Sequence, residues 1–498
     1  MAVSSGFSVP TDIRGGRSTW TPSWPLAFGL IVFVWLSMRG GMPLLVDPDT
    51  QWHVALGNWI VQHRAVPHVD TMSFTFTGQP WIAKEWLSQL LLAGAFDLGG
   101  WTAVVVLASA TFGLTFALLL RLLLRDIKPL PALLFTGAAV AMVSTHFMAR
   151  PYVFAFPCLL LWVHGLVRAV EERRAPSPVL LAVMLVWANL HGGFTFGLML
   201  AGAFGLEALV AARDTAERKR VFVGWLKFGV GALLAACVTP YGPESILVTL
   251  RIFQLGDSLS LISEWKSPNF QTETVQEVVL LVGLYVALSR GLKLPLLRLL
   301  ILIGLVHMYL RYSRNAELLA LVAPLVIAPV IARLWPTQHA DAPSTGRLAV
   351  LAGPAGHGAL AVGLALALVF AGGLGRFGDV KPPSSTVPQA ALDYVRETGI
   401  KGRVLNYYGY GGFLIRSGIP TFIDGRGELF GGPFIKLYAD AVTLNGDEPL
   451  ETILERYKID WTFLARNQAA NQLLGHLPGW KRVYGDDEAT IFVRERKP

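Results

Sequence analysis

Apolar runs close to or longer than the ~18–20 residues that cross a bilayer recur along most of this chain. In hydrocarbon no water satisfies backbone N–H and C=O groups, so such runs must be helices that bond within themselves. A soluble globular enzyme is excluded. So is a porin-type barrel, whose strands alternate apolar and polar residues over roughly ten positions. Eleven spans are expected, roughly at 25–45, 101–121, 130–147, 151–168, 178–190, 192–212, 221–240, 277–289, 296–310, 316–334 and 348–374. The fifth, eighth and ninth are short, a length that partly re-entrant segments share. Composition agrees: 53% of residues are hydrophobic and 15% charged, against about a quarter charged in an ordinary soluble chain. The two cysteines, Cys158 and Cys237, both sit in apolar runs, which leaves neither a disulfide framework nor a cysteine zinc site.

Lys and Arg number 42 against 34 Asp and Glu, and the surplus belongs to the apolar region: residues 381–498 hold 15 against 14. With no solvated basic face, a nucleic-acid partner is not expected. The first apolar run begins only at Pro25, and no small-residue cleavage site follows, so a cleaved signal is not expected. Placing residues 1–24 in the cytoplasm puts seventeen basic residues in short loops on that side, among them Arg173, Arg174 and Arg220, and nine on the other. That asymmetry sets orientation. The loops 46–100 and 241–276 and the soluble region 380–498 then face outward, and a bacterial inner membrane is the expected location. Region 25–379 is the transmembrane part. The tail reads as a small mixed α/β domain, with helical spacing over Val387–Glu397 and Pro449–Tyr457. Strand-like segments are Arg403–Tyr407, Thr421–Ile423, Asp460–Leu464, Arg482–Tyr484 and Ala489–Arg494. Gly409, Gly411 and Gly412 make a glycine-rich turn, but no Gly-Lys-Ser/Thr follows and no phosphate loop is read.

This sidedness gathers polar residues at the outer span ends. Ionisable groups near membrane depth are costly unless paired or facing a wet cavity, so they mark candidate sites. The richest stretch is Asp47-Pro48-Asp49-Thr50-Gln51-Trp52-His53, at the mouth of an apolar-periodic helix. Asp49 suits two roles there: an N-cap for that helix, or a carboxylate that takes a proton from an acceptor or holds a divalent cation. Asp49 and His53, four apart, share a helix face, a spacing that metal ligation allows. Further along the loop, Trp81-Ile82-Ala83-Lys84-Glu85-Trp86 opens a second helix, with Trp81 and Trp86 expected at the membrane interface. Arg150 begins the fourth span, Asn189 and His191 flank the turn into the sixth, and His146, Glu264 and His307 fall on the same side. Arg311 and Arg314 suit a lipid phosphate, because guanidinium binds phosphate through paired hydrogen bonds. Anchoring is the plainer alternative for them.

These features resemble the GT-C membrane glycosyltransferases, in particular the protein mannosyltransferase and aminoarabinose transferase branch. Asp49-Thr50-Gln51-Trp52-His53-Val54-Ala55 falls where that branch carries Asp-Glu and an Ala- and Tyr-containing helix, and Gly57 and Pro67 fit the following spacing. Lys84-Glu85-Trp86-Leu87 stands in the place of its Lys-Pro-Pro-Leu. The sequence departs from that pattern at Thr50, in place of the second acid, and at Glu85, in place of proline. The resemblance implies Asp49 as base, Lys84 as a donor contact and a polyprenyl-phosphate sugar as donor. The tail stretch Gly409–Arg426, ending Phe422-Ile423-Asp424-Gly425-Arg426, is similar to segments in uncharacterised bacterial members.

The expected molecule is thus a polytopic α-helical membrane protein of about eleven transmembrane helices, GT-C-like, with a small extracytoplasmic α/β domain at its C-terminus. The expected activity is inverting transfer of a sugar from a polyprenyl-phosphate donor to an envelope glycan, lipid or protein. In this reading Asp49 is the base, assisted by Asp47 or Glu85. Lys84, Arg150, Arg311 and Arg314 hold the donor phosphate, and His53, Asn189 and His191 are further candidates. A glycan polymerase or ligase is the alternative. A transporter fits less well, because its charges usually lie near the midplane on broken helices.

Overall fold

A computed structural model of the protein describes residues 19–251, 265–341 and 347–495. Glu264 lies outside the described residues. The membrane region runs through α1 (Trp24–Ser37), α2 (Asp49–His63), α3 (Trp86–Leu123), α4 (Pro129–Val143), α5 (Tyr152–Glu171), α6 (Val179–Leu190) and α7 (Phe194–Val210). It continues with α8 (Thr215–Ala236), α9 (Glu244–Arg251), α10 (Thr274–Ser289), α11 (Leu296–Arg311), α12 (Ala316–Leu334), α13 (Arg347–Val350) and α14 (His357–Phe377). Each of the eleven expected spans overlaps a helix (α1, the second half of α3, α4 to α8, α10 to α12, and α14), but the one expected at 25–45 runs past the end of α1 at Ser37 and the one at 348–374 begins before α14. Among the described residues five helical stretches are individually long and apolar enough to cross a membrane, Trp86–Leu123, Pro129–His146, Tyr152–Glu171, Ser313–Leu334 and His357–Phe377. The chain is a multi-pass membrane protein.

Close backbone approach holds the first layer together. A Cβ on Gly29 would lie 2.9 Å from the Gly113 carbonyl oxygen, and one on Gly113 2.6 Å from that of Gly29, so α1 and α3 meet where neither has a side chain. The first half of α3 and all of α2 form the two helices of the long loop. A Cβ on Gly57 would stand 2.1 Å from the Gln89 carbonyl oxygen. Between the halves of α3 the chain breaks at Gly99 and Gly100, the latter at φ 60° and ψ −150°, a region essentially restricted to glycine. Charge pairing also enters the packing between the membrane helices. Arg298 is buried between Glu171 and Glu207 at 2.7 and 2.8 Å.

The tail comprises α15 (Gln389–Thr398), β1 (Val404–Asn406), α16 (Gly411–Arg416), α17 (Gly427–Thr443), α18 (Leu450–Arg456), β2 (Trp461–Ala465), α19 (Ala470–His476), β3 (Trp480–Gly485) and β4 (Ala489–Arg494). Its sheet has the order β1-β2-β4-β3, with β1 and β2 parallel and the other pairs antiparallel. Four of the five expected strands are these. The fifth, Thr421–Ile423, stays out of the sheet because the Asn406 amide takes the Phe422 N–H and the Ile423 carbonyl, both at 2.8 Å. Its backbone bonds instead to the first long loop: Phe74 N–H donates to the Thr421 carbonyl at 3.0 Å and Thr421 N–H to that of Met72 at 3.2 Å. The tail is therefore stitched to loop 46–100.

Candidate active site

Between the tail-proximal ends of the membrane helices and the tail lies a cleft of about 690 Å³ of empty volume, counted to its open mouth. Its lining includes Asp49, His53, Lys84, Glu85, Arg150, His191 and Arg314, residues from five separate stretches of the sequence. Two helix starts position the acids. Asp49 is the first residue of α2 and makes no side-chain cap. The Asp47 carboxylate does that work, accepting the Asp49 N–H at 2.7 Å. The expected capping role thus passes to Asp47, because Pro48 is the residue flanking the helix and lacks the N–H and the polar side chain of a cap. Asp49 is then available to Arg150, whose Nη2 is 2.5 Å from Oδ2, while Nη1 lies 3.2 Å from Asp47 Oδ2. Arg150 reaches this point because Ala149 bonds back onto the segment before α2, its N–H to the Leu44 carbonyl at 2.8 Å.

Glu85 precedes α3 and stands between two imidazoles. His191 Nε2 is 3.4 Å from Oε1 and His53 Nε2 3.9 Å from Oε2. The Nδ1 of His191 accepts the Gly193 N–H at 3.1 Å, which puts its proton on the Nε2 that faces Glu85. Burial raises the Glu85 carboxyl above its ordinary 4.5; Glu428 adds to the rise, while Lys84, Arg150 and Arg314 reduce it. Burial, with Arg150, His191 and Lys84, holds His53 well below its ordinary 6.5. Among the described residues, no group of three or more His, Cys, Asp or Glu side chains assembles to hold a metal ion. Asp49 faces an arginine and Glu85 faces two imidazoles.

The basic candidates divide. Arg314 lines the cleft with its guanidinium 4.4 Å above the Trp265 ring. Arg311 does not line it; its guanidinium is on the surface, 5.5 Å over the Tyr312 ring. Lys84 Nζ is 3.5 Å from Glu428 Oε1. Asn189 is a brace outside the lining: it accepts from Trp86 Nε1 at 2.9 Å and donates to the carbonyls of Leu185 and Val238. Trp81 and Trp86, expected at the lipid interface, serve the protein instead. Trp81 is buried with Arg426 4.9 Å over its ring, and Trp86 holds Asn189.

Sequence reasoning missed the tail's share. Tyr408, Gly425, Gly427 and Glu428 also line the cleft. Arg426 anchors them, donating to both oxygens of Asp424 at 2.7 Å and to Asp70 at 2.6 Å, with all three side chains fully buried. The signal lay in the Asp424-Gly425-Arg426 stretch, which ends two residues short of Glu428. Nothing in it announced Asp70 as the partner, more than 350 residues away in the chain.

Solved structures similar to this chain include those of three different proteins. The apo structure of ArnT from Cupriavidus metallidurans aligns with a TM-score of 0.50 at 14% identity, over 94% of this chain and 96% of that one. The mycobacterial arabinofuranosyltransferase AftD aligns at 0.48 and 15% identity, over 95% of this chain and 40% of that one. The apo oligosaccharyltransferase of Archaeoglobus fulgidus aligns at 0.44 and 10%, over 89% and 69%. No family model and no curated sequence matches the chain. The fold is GT-C-like.

Proposed function

We propose that this GT-C-like chain is a membrane glycosyltransferase that moves a sugar from a polyprenyl-phosphate donor to an acceptor hydroxyl or amine at the extracytoplasmic face. One observation carries the reading: a single cleft holds carboxylates, Asp49 and Glu85, beside cations, Lys84, Arg150 and Arg314. A donor of this kind also suits the fold, since an ArnT of similar fold has been solved with undecaprenyl phosphate bound. Transfer requires a base that takes the acceptor proton as its oxygen or nitrogen attacks the anomeric carbon. It also requires positive charge where the polyprenyl phosphate departs. Attack from the face opposite the leaving phosphate inverts the anomeric centre.

Asp49 is the proposed base, and Arg150 orients its carboxylate. Lys84 and Arg314 neutralise the departing phosphate. A second reading has its own observation: Glu85, its carboxyl raised by burial and flanked by two imidazole Nε2 groups, is closer to the poise a proton acceptor needs. Turnover of a polyprenyl-phosphate sugar by Asp49→Asn and Glu85→Gln proteins separates them. The base variant loses on the order of 10²–10⁴ in kcat with donor binding kept. Full activity in both, with the proteins folded, refutes the glycosyltransferase site.

A further inference from the structure

The segment Gly425–Glu428 belongs to the tail, yet it forms a wall of the cleft. A Cβ on Gly425 would lie 1.8 Å from Asp49 Oδ1, so the bare backbone there is what allows Asp49 its place. One residue on, Arg426 fastens the segment to Asp70 of the long loop. Glu428 follows in the short turn Gly427–Phe430, which Gly431, at φ 73°, separates from the rest of α17. Its carboxylate reaches across to Lys84, and both side chains are 15% exposed. Burial alone would raise the Glu428 carboxyl, but Lys84, the backbone N–H of Glu428 and Arg426 outweigh it and hold the group below its ordinary value. The tail thus supplies a persistent negative charge to the ammonium that the donor phosphate needs.

We infer that Glu428 is the exchangeable counter-ion of Lys84, displaced when the donor phosphate binds and returning to Lys84 as the spent polyprenyl phosphate leaves. The inference rests on the donor reading above. Its basis is the charge balance of that reaction. A sugar-phosphate-polyprenol is a phosphodiester with one negative charge. Transfer breaks the sugar–oxygen bond and leaves a polyprenyl phosphate monoester, which carries close to two charges at neutral pH. A fixed carboxylate beside the phosphate subsite therefore opposes product more than donor. Its return to Lys84 replaces the contact that the departing phosphate loses, which hastens release.

The test uses the full-length protein in detergent and two probes, farnesyl phosphate and its methyl ester, read by quenching of tryptophan fluorescence. Glu428→Gln is expected to bind farnesyl phosphate on the order of tenfold more tightly, because a like charge has been removed from the subsite. The gain for the singly charged methyl ester is expected to be smaller. In turnover, KM and kcat fall together as release slows, whereas simple damage to the fold would weaken binding. Lys84→Met is expected to lose binding of both probes. If Lys84→Met loses binding while Glu428→Gln binds as the parent does or more weakly, the counter-ion role is wrong and the donor reading stands. If Lys84→Met and Arg314→Ala both bind as the parent does, the donor reading fails and takes this inference with it. Should Glu428→Gln not fold, Glu428→Ala, which also removes the charge, is read in the same way; failure of both to fold makes Glu428 a structural tie and overturns the inference.

Discussion

Asp49 and Arg150 show how much a residue's role depends on its neighbours. In isolation Arg150 is a phosphate ligand as good as Arg314, but its two ends are occupied by Asp47 and Asp49. Truncating it removes the guanidinium that the two carboxylates share at a part-buried site. Arg150→Ala is therefore expected to lower turnover through loss of the Asp49 orientation, with a KM change smaller than that of Arg314→Ala. Steady-state kinetics against donor concentration separates the two. For donor affinity the two outward arginines divide: Arg314→Ala costs roughly 1.5–3 kcal/mol of phosphate binding, the worth of a charge-assisted bond, and Arg311→Ala leaves it nearly unchanged. Equal losses in a direct binding measurement would return Arg311 to the site. His53 carries a pH signature. Its folded form resists protonation, so between its lowered folded value and 6.5 the unfolded chain binds more protons. Stability then rises with pH across that window and is lost as pH falls below 6.5. The apparent melting temperature of the parent is expected to drop on acidification, and His53→Gln to flatten the drop.

At the scale of elements the decisive contacts are between helices and strands that the chain separates widely. The α2 start, the Lys84-Glu85 turn and the α17 start converge because Gly57 lets α2 touch α3 and Arg426 ties the tail to Asp70. Arg426→Ala leaves Asp70 and Asp424 buried without their cation, a loss of roughly 3–5 kcal/mol in pairs of this kind. The expected result is a tail that becomes protease-sensitive before the membrane region does, followed by gel electrophoresis. A variant as resistant as the parent would show that the triad does not hold the tail. Gly425→Ala acts at the same joint with a different readout. The added Cβ meets the Asp49 carboxylate, so activity falls while the Arg426 triad and protease resistance survive.

For the whole molecule, everything functional requires the tail and the cleft to share one compartment with loop 46–100. A reporter fused after Pro383 is expected to read extracytoplasmic, and reporters after Arg174 or Arg220 cytoplasmic, from the basic asymmetry of the short loops. A cytoplasmic tail would break the donor assignment. The helical character of the apolar ranges and four of five strands were legible in sequence because local periodicity and the needs of backbone in hydrocarbon leave few options. Most of the charged and histidine residues around the cleft were legible too, since ionisable groups at span ends are conspicuous against an apolar background. Lys84, Arg314 and the acids could be named as candidates that way. The division of labour among them could not. That Asp47 caps while Asp49 faces Arg150, that Arg311 turns to the surface, and that Asn189 is a brace depend on angles and distances of a few ångströms. The tail's entry into the site was out of reach for the same reason. Hydrophobic pattern and charge sidedness act along the chain and across the membrane, and so follow from sequence alone. The meeting of Glu428 with Lys84, 344 residues apart, follows only from how the folded tail packs on the folded loop.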